Sequence, residues 1–339
     1  MPGVSTAISQ GGSIATNVAA PAPLLVVGAL HLDLVGHLHG PHRPAASNPV
    51  RFSAGPGGVG ANVARAIAAH GVPCHLVCPA GTGPVDPSLN LPDIGITRVT
   101  IDGHAPGRYV AILDPHGELV SGYSDTLACE HASAEALLRS MPALDAAALV
   151  VEANLSAEAL AGLVGASRLS VAALAVSPHK ALRLKPIAAG IALLLCNRRE
   201  AVSLTGLAPN ASLEALADAL HVSRFARVVL TDGPAGILVA EPDRRCRLPA
   251  PEIGPDGVGG VNGAGDALAG ATLAALAAQA AQAAQATSAR PGTSNRELHT
   301  LLDVMNARSD RAPSGSDSPL AEAVAGPGRR AALNVLRAR

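Results

Sequence analysis

The chain has 339 residues, a length that one large α/β domain with a small appendage, or two domains, would use. Its 25 Lys and Arg balance 26 Asp and Glu, so no global field of either sign gathers nucleic acid or an anionic membrane, and a partner must be recognised locally. Hydrophobic residues make up 48% and aromatics only 1%, which implies a core of Ala, Val, Leu and Ile in closely packed layers.

Residues 1–23 carry no Lys or Arg and no sustained apolar run, a pattern that fits neither a signal nor a transit peptide and predicts a disordered tail. Leu24 to Ala29 is then a continuous apolar run, the pattern of a strand buried on both faces. Val59, Val63, Ile67 and His70 recur at helical spacing behind a glycine cluster, and Gly71 stands where a helix C-cap is expected. A strand is expected over Cys74 to Cys78. Arg108 to Leu113 and Glu118 to Gly122 flank Asp114-Pro115-His116-Gly117, whose Asp, Pro and Gly suit a type I turn and predict a hairpin.

Strand and helix patterns then alternate from Ala147 to Thr231, which argues for a parallel sheet with helices on both faces. Gly236 to Ala240 reads as an antiparallel strand joined to Thr231 by Asp-Gly-Pro-Ala. Residues 277–318 turn rich in Ala and Gln, then in Ser, Gly, Pro and Arg; the part from 287 is expected to be a low-complexity loop. The longest apolar stretch recognised is Ile187 to Cys196, too short for a membrane span. Five scattered cysteines read as buried small hydrophobes in a reducing cytoplasm. The C-terminal arginines Arg329, Arg330, Arg337 and Arg339 read as a solvated helix face.

The most informative segment is Gly259-Gly260-Val261-Asn262-Gly263-Ala264-Gly265-Asp266, ahead of a long Ala and Leu helix. Backbone N–H groups of Gly263, Ala264 and Gly265 at the positive end of that helix form an anion hole suited to a phosphoryl group. Asp266 beside it reads as a base accepting a proton from an attacking hydroxyl, or as a helix N-cap. Gly55-Pro56-Gly57-Gly58-Val59-Gly60-Ala61-Asn62 contains a formal G-x-G-x-x-G. No acidic residue follows before Asp86 and no convincing buried strand precedes it, which argues against a dinucleotide fold; a Walker-type loop is absent from the sequence. Asp33, just past the first strand, reads as a sugar-hydroxyl acceptor or a solvated turn residue. Asn197 and Glu200 follow the apolar strand ending at Cys196; they suit hydrated magnesium or simply open a helix.

Together these segments resemble the PfkB family of ribokinase-like carbohydrate and nucleoside kinases, over Leu24 to about Gly270. The resemblance implies a Rossmann-type three-layer α/β sandwich from residue 24 to 339, with a small β lid near 35–52 and 108–124 that can pair into a homodimer. It implies ATP and Mg2+ as cofactors and a cytoplasmic enzyme acting on a small molecule, with neither nucleic acid nor membrane as partner. Gly57, Gly58 and Asn62 match the sugar-contacting segment. Asn197 and Glu200 match the N-x-x-E motif, which places Asn197 by ATP and Glu200 by magnesium through water. Thr231, Gly233 and Gly236 match the nucleotide turn, and Gly263, Ala264, Gly265 and Asp266 the anion hole and base. Within the family the sequence is similar to the pseudouridine kinases, through Ser47-Asn48-Pro49, Asp114 to Glu118, Asp125, Glu152 to Leu160, and Val176-Ser177 with Lys180. That similarity adds Asp125, Asn154 and Lys180 to Asp33 as substrate contacts and implies phosphorylation of a 5′-hydroxyl.

Some positions depart from the family pattern. His31 replaces the usual Asn, residues 81–95 are short, and Gly260 stands near a monovalent-cation position often held by Asp or Asn. The insert and the end at Arg339 fall where the family closes over adenine. A kinase for ribose, fructose or adenosine, or a weakly catalytic nucleoside-binding protein of the same fold, are the alternatives.

Overall fold

In the computed structural model, the residues described are 20–250, 252, 263–288 and 318–337. The expectations for most of the tail, for Gly259 to Asn262 and for most of the low-complexity insert fall outside them. The packed chain starts ahead of Leu24: Ala22 lies against the core, and the Pro23 carbonyl accepts from Ala147 N–H at 2.9 Å.

Thirteen strands are described: β1 (Leu24–Val27), β2 (His31–Leu38), β3 (Val50–Gly57), β4 (Cys74–Gly81), β5 (Gly95–Ile101), β6 (Arg108–Leu113), β7 (Leu119–Asp125), β8 (Ala148–Glu152), β9 (Ser170–Leu174), β10 (Leu193–Asn197), β11 (Val228–Thr231), β12 (Ile237–Ala240) and β13 (Arg245–Leu248). Nine form one sheet in the order β13-β12-β11-β10-β9-β8-β1-β4-β5, all pairs parallel except β11–β12 and β12–β13. The jump from β1 to β8 on one side and β4 on the other makes the ends of β1 and β8 a topological switch point, where open α/β sheets leave a crevice.

Alternate residues of each strand feed opposite layers, because strand side chains have a period of two. Leu24, Val26, Leu76 and Val150 face one core; Leu25, Val27, Val77 and Val151 face the other. The first core is covered by α1 (Val59–Ala69) and later helices, the second by α4 (Ala157–Ala166), α6 (Arg198–Thr205) and α7 (Leu213–Val222), with α2 (Leu127–His131), α3 (Ala134–Arg139) and α5 (Pro178–Ala181) as short connectors. The three layers agree with the expected parallel sheet covered on both sides. Each fully buried leucine contributes about 1.5–3 kcal/mol of apolar burial.

The long helix α8 (Ala264–Ser288) corrects the reading of apolar stretches: residues 264–285 are long and apolar enough to cross a membrane by length and composition. Here they form a core helix. Leu268, Leu273 and Leu276 pack with Val63 and Ile67 of α1, and with Leu320 of α9 (Pro319–Ala323) and Ala332 of α10 (Arg329–Arg337). Of the C-terminal arginines, Arg330 is exposed, whereas Arg329 donates to the Ala250 carbonyl at 3.2 Å, so not all of them form a solvated face.

A second sheet, ordered β3-β2-β6-β7, is built from the strands between β1 and α1 and the later β6–β7 hairpin. Its β6–β7 hairpin turns as its sequence suggests, with Asp114 Oδ1 accepting from the N–H groups of His116 and Glu118 at 2.8 and 2.9 Å. A strand does precede the glycine cluster, since Val50–Gly57 pairs along the whole of β2 ahead of α1, but most of it is exposed, so it is not the buried strand of a dinucleotide fold.

Candidate active site

Strand carboxyl ends collect along one edge of the large sheet, and α8 delivers its N-terminus there. Gly263 precedes the helix with φ 80°, and its carbonyl accepts from Ala267 N–H at 2.8 Å. Gly263 therefore holds the capping position, and Asp266 stands inside the first turn, so the cap reading of Asp266 does not apply. The N–H groups of Ala264, Gly265 and Asp266 have no acceptor within a helix that starts here, and with the helix dipole they attract an anion.

Asp266 is half-buried, and its Oδ2 accepts a hydrogen bond from Asn62 Nδ2 at 2.9 Å. Burial pushes the carboxyl up to about 6, while the bond from Asn62 pulls it down. Asn62 reaches this point because α1 begins almost on top of β1. Gly58 takes φ 101°, and a Cβ there would lie 2.3 Å from the Ala29 carbonyl oxygen. A Cβ on Gly57 would lie 2.0 Å from Asp33 Oδ1, so the Asp33 carboxylate covers the Gly57 backbone. Asp33 belongs to β2, not to a turn, and His31 Nδ1 approaches its Oδ1 to 2.7 Å without hydrogen-bond alignment.

A cavity of roughly 150 Å³ opens beside Asp266 and Gly265, with Asn197, Glu200 and Thr231 on its polar side and Val59, Val176 and Cys196 among its apolar walls. Glu200 is 5% exposed. Its Oε2 accepts from Asn197 N–H and its Oε1 from Asn197 Nδ2, both at 2.8 Å, and Asn197 Oδ1 accepts from Glu200 N–H at 3.0 Å. This reciprocal capping box opens α6, so the helix-opening reading holds for the pair; it also fixes a carboxylate in the cavity wall. Burial first, and then the charge of Asp266, push Glu200 up to about 7 against the hydrogen bonds from Asn197.

Among the described residues no cluster of three or more His, Cys, Asp or Glu forms a cage for a metal. Glu200 nevertheless suits a hydrated divalent ion. Each of its oxygens accepts one bond from Asn197, leaving lone pairs for metal-bound water.

Asn197 and Thr231 are register partners at the ends of β10 and β11. The turn after Thr231 places Gly233 at φ 51° and Gly236 at φ 98°, away from the cavity wall. Arg198 Nε and Nη2 bind Asp232 Oδ1 and Oδ2 at 2.7 and 2.8 Å, clamping this turn to α6. Sequence reasoning missed that pair, although Arg198 follows the motif asparagine and Asp232 follows Thr231.

Two further sets lie on the β8 side. Asn154 is buried and its Oδ1 accepts from Lys180 Nζ at 2.7 Å, so these two expected substrate residues meet each other. Glu152, 1% exposed, accepts from Ala29 N–H at 2.7 Å and Asn154 N–H at 2.8 Å, and burial pushes its carboxyl upward. It ties β1 to β8 beneath the crevice and was singled out in the sequence only through its neighbours. Asp125 ends β7, exposed and opposite Arg108. Asp33 with Gly57, Asn154 with Lys180, and Asp125 thus stand apart from the cavity wall that holds Asp266. All five cysteines are free, and burial pushes the Cys74 and Cys78 thiols up to about 12, which leaves them inert.

Comparison with known proteins finds a family and several relatives. The family model described as pfkB family carbohydrate kinase matches residues 22–291. Pseudouridine kinase of Escherichia coli K12 is 27% identical over 227 residues, 64% of this chain and 72% of that protein. A carbohydrate kinase from Agrobacterium tumefaciens superposes with a TM-score of 0.63 at 27% identity, covering 83% of this chain and 95% of that one. An Arabidopsis thaliana ribokinase complexed with ribose and ATP gives a TM-score of 0.58 at 17% identity, over 84% and 97%.

Proposed function

Because the chain belongs to the pfkB family of carbohydrate kinases, we propose that it transfers the γ-phosphoryl group of ATP to a nucleoside or sugar hydroxyl, the 5′-hydroxyl of pseudouridine first among them. The observation that carries this reading is Asp266, a carboxylate of raised pKa in the first turn of α8, sharing one cavity with Asn197, Glu200 and Thr231. A carboxyl group near 6 is ionised at neutral pH yet basic enough to take a hydroxyl proton in the transition state. The first-turn amides of α8 face the phosphoryl oxygens and stabilise the charge that spreads over them.

Asn62 both holds Asp266 and, with Asp33, Gly57 and Gly58, binds ribose hydroxyls. Asn154, Lys180 and Asp125 contact the rest of the acceptor. Asn197, Thr231, Gly233 and Gly236 lie along ATP. Glu200 would hold a hydrated magnesium ion, which when bound neutralises phosphate charge. The 27% identity to a pseudouridine kinase supports that acceptor.

The small sheet acts as a lid over the acceptor. Its outward residues Phe52 and Tyr123, 53% and 64% exposed, suit pairing of two lids in a homodimer. Free cysteines and the demand for ATP suit the cytoplasm.

The test is ADP release from ATP and Mg2+ with pseudouridine, uridine, adenosine, ribose and fructose in turn. Pseudouridine is expected to give the highest kcat/KM. Preference for another acceptor refutes that assignment, and no acceptor-dependent release with any refutes the kinase reading in favour of a binding protein.

A further inference from the structure

At the carboxyl end of β9 the chain makes a turn to which the roles above assign nothing. Val176 has φ 68°, a region that β-branched residues rarely enter. Ser177 N–H donates to the Ala175 carbonyl at 2.8 Å, closing a three-residue γ-turn of the positive-φ kind, which is the strained one. Its surroundings hold it from three sides. Ala175 N–H donates to the Leu195 carbonyl at 3.2 Å, the Ser177 carbonyl accepts from Ala181 N–H at 2.8 Å, and the Pro178 carbonyl accepts from Ser203 Oγ at 2.6 Å. Strain that is over-determined in this way gathers at functional sites.

The turn makes Val176 part of the lining of the cavity that contains Asp266, Asn197 and Glu200, with its side chain packed in part against the second core. In the sheet, β9 lies between β8, just beyond which stands Asn154, and β10, which ends in Asn197. Val176 therefore stands on the border between the acceptor side and the nucleotide side. A glycine would adopt this φ without strain but would leave space beside the base. A branched aliphatic residue in the lining offers water no hydrogen bond.

We propose that Val176 is the apolar partition of the phosphoryl-transfer site, a specificity residue that keeps water from competing with the acceptor hydroxyl for the base. This rests on the kinase reading. In transfer, the bond from the γ-phosphorus to the bridging oxygen of ATP breaks and ADP leaves. The acceptor oxygen bonds to phosphorus, and its proton passes to Asp266. Hydrolysis is the same exchange with water as the nucleophile, ending in inorganic phosphate, and the partition decides between them.

The experiment uses the full chain with Val176→Gly, which relaxes the turn, and Val176→Ala, which keeps the turn and removes two methyl groups. ADP release from ATP and Mg2+ is measured with and without pseudouridine, alongside ADP affinity by calorimetry and thermal melting. Both variants are expected to lose about ten-fold or more in the ratio of acceptor-dependent to acceptor-independent release, through a rise in the latter, with ADP affinity unchanged. A purely structural role would lower the melting temperature and both rates together while preserving the ratio, and that result overturns the proposal. Wild-type protein that couples release to the acceptor, with variants that couple equally well, overturns this inference alone. Wild-type protein with no acceptor-dependent release with pseudouridine, ribose or adenosine overturns the kinase reading and this inference with it.

Discussion

Asn62→Ala tests how the base is tuned. It removes the hydrogen bond from Nδ2 to Asp266 Oδ2, which favours the ionised carboxylate. A hydrogen bond to a charged group is worth about 1.5–3 kcal/mol, and one pKa unit corresponds to about 1.4 kcal/mol. Losing the bond therefore raises Asp266 from about 6 by about 1–2 units. The base works only when ionised, so activity disappears as pH falls through its pKa, and a higher pKa moves that acid limb toward alkaline pH. The assay is kcat/KM for pseudouridine, which reports the free enzyme, by ADP release at saturating ATP and Mg2+ from about pH 5 to about pH 9. The wild-type acid limb is expected near pH 6, that of the variant near pH 7–8 with partial recovery of rate above it. A limb that stays in place while the rate drops uniformly would mean that Asn62 acts on the acceptor alone, and the tuning argument would fail.

Asp266→Asn is expected to cut turnover by about 10²–10⁴ while ADP binding survives; near wild-type turnover would remove Asp266 as the base. Because its carboxyl is raised by about two units, the folded state holds this proton more tightly than the unfolded chain, so stability declines from about pH 4 to about pH 6 by about 3 kcal/mol. Asp266→Asn should accordingly melt above wild type at pH 8 and level with it near pH 4, which calorimetry checks. Glu200→Gln can keep the bond from Asn197 N–H but loses the charge and the acceptor for Asn197 Nδ2, and should raise the Mg2+ concentration for half-maximal rate by about ten-fold or more. The wild-type requirement tightens as pH rises through about 7, where Glu200 ionises; the variant's requirement should stay flat in a magnesium titration at several pH values. Gly270→Ala would gain about 1 kcal/mol of helix propensity, but the new Cβ would meet Ala66 Cβ at 2.5 Å and the Val63 carbonyl at 2.6 Å. Overpacking of about 1–3 kcal/mol outweighs that gain, so urea unfolding should show a net loss.

Parts of the chain were legible because one physical effect governs them. Leu24–Val27 and Ala148–Glu152 are buried on both faces, so composition alone marks them as strands. β5 and β13 lie at the sheet edges, where half of each strand faces water. Their Thr and Arg residues blur the apolar run, and Arg247 of β13 is held instead by Glu214 of α7 at 2.6 and 2.8 Å. In the site, glycine spacing pointed to the α8 N-terminus, since few other uses explain such a cluster. The meeting of Asn62 with Asp266, 204 residues apart, depends on where α1 crosses α8 and leaves no local trace. Nor does the φ of Val176: Pro178 restricts Ser177 to extended backbone, but nothing in Ala175-Val176 signals a left-handed residue.

The arrangement of charge explains why the site sits where it does. A chain with net charge of only −1 places Asp266, Glu200 and Glu152 close enough that Asp266 raises both of the others. Such a group opposes its own ionisation, and the sheet could have avoided it with apolar residues at the same strand ends. Opposing features surround it: the positive end of α8, the Asn197 amide on Glu200, and Lys180, which lowers Glu152. The carboxyl groups stay raised nonetheless, first because they are buried and only then, for Glu200 and Glu152, through the charge of Asp266. On the proposed reading, a magnesium-bound nucleotide beside an acceptor hydroxyl would bring positive charge to Glu200 and a proton donor to Asp266 at once.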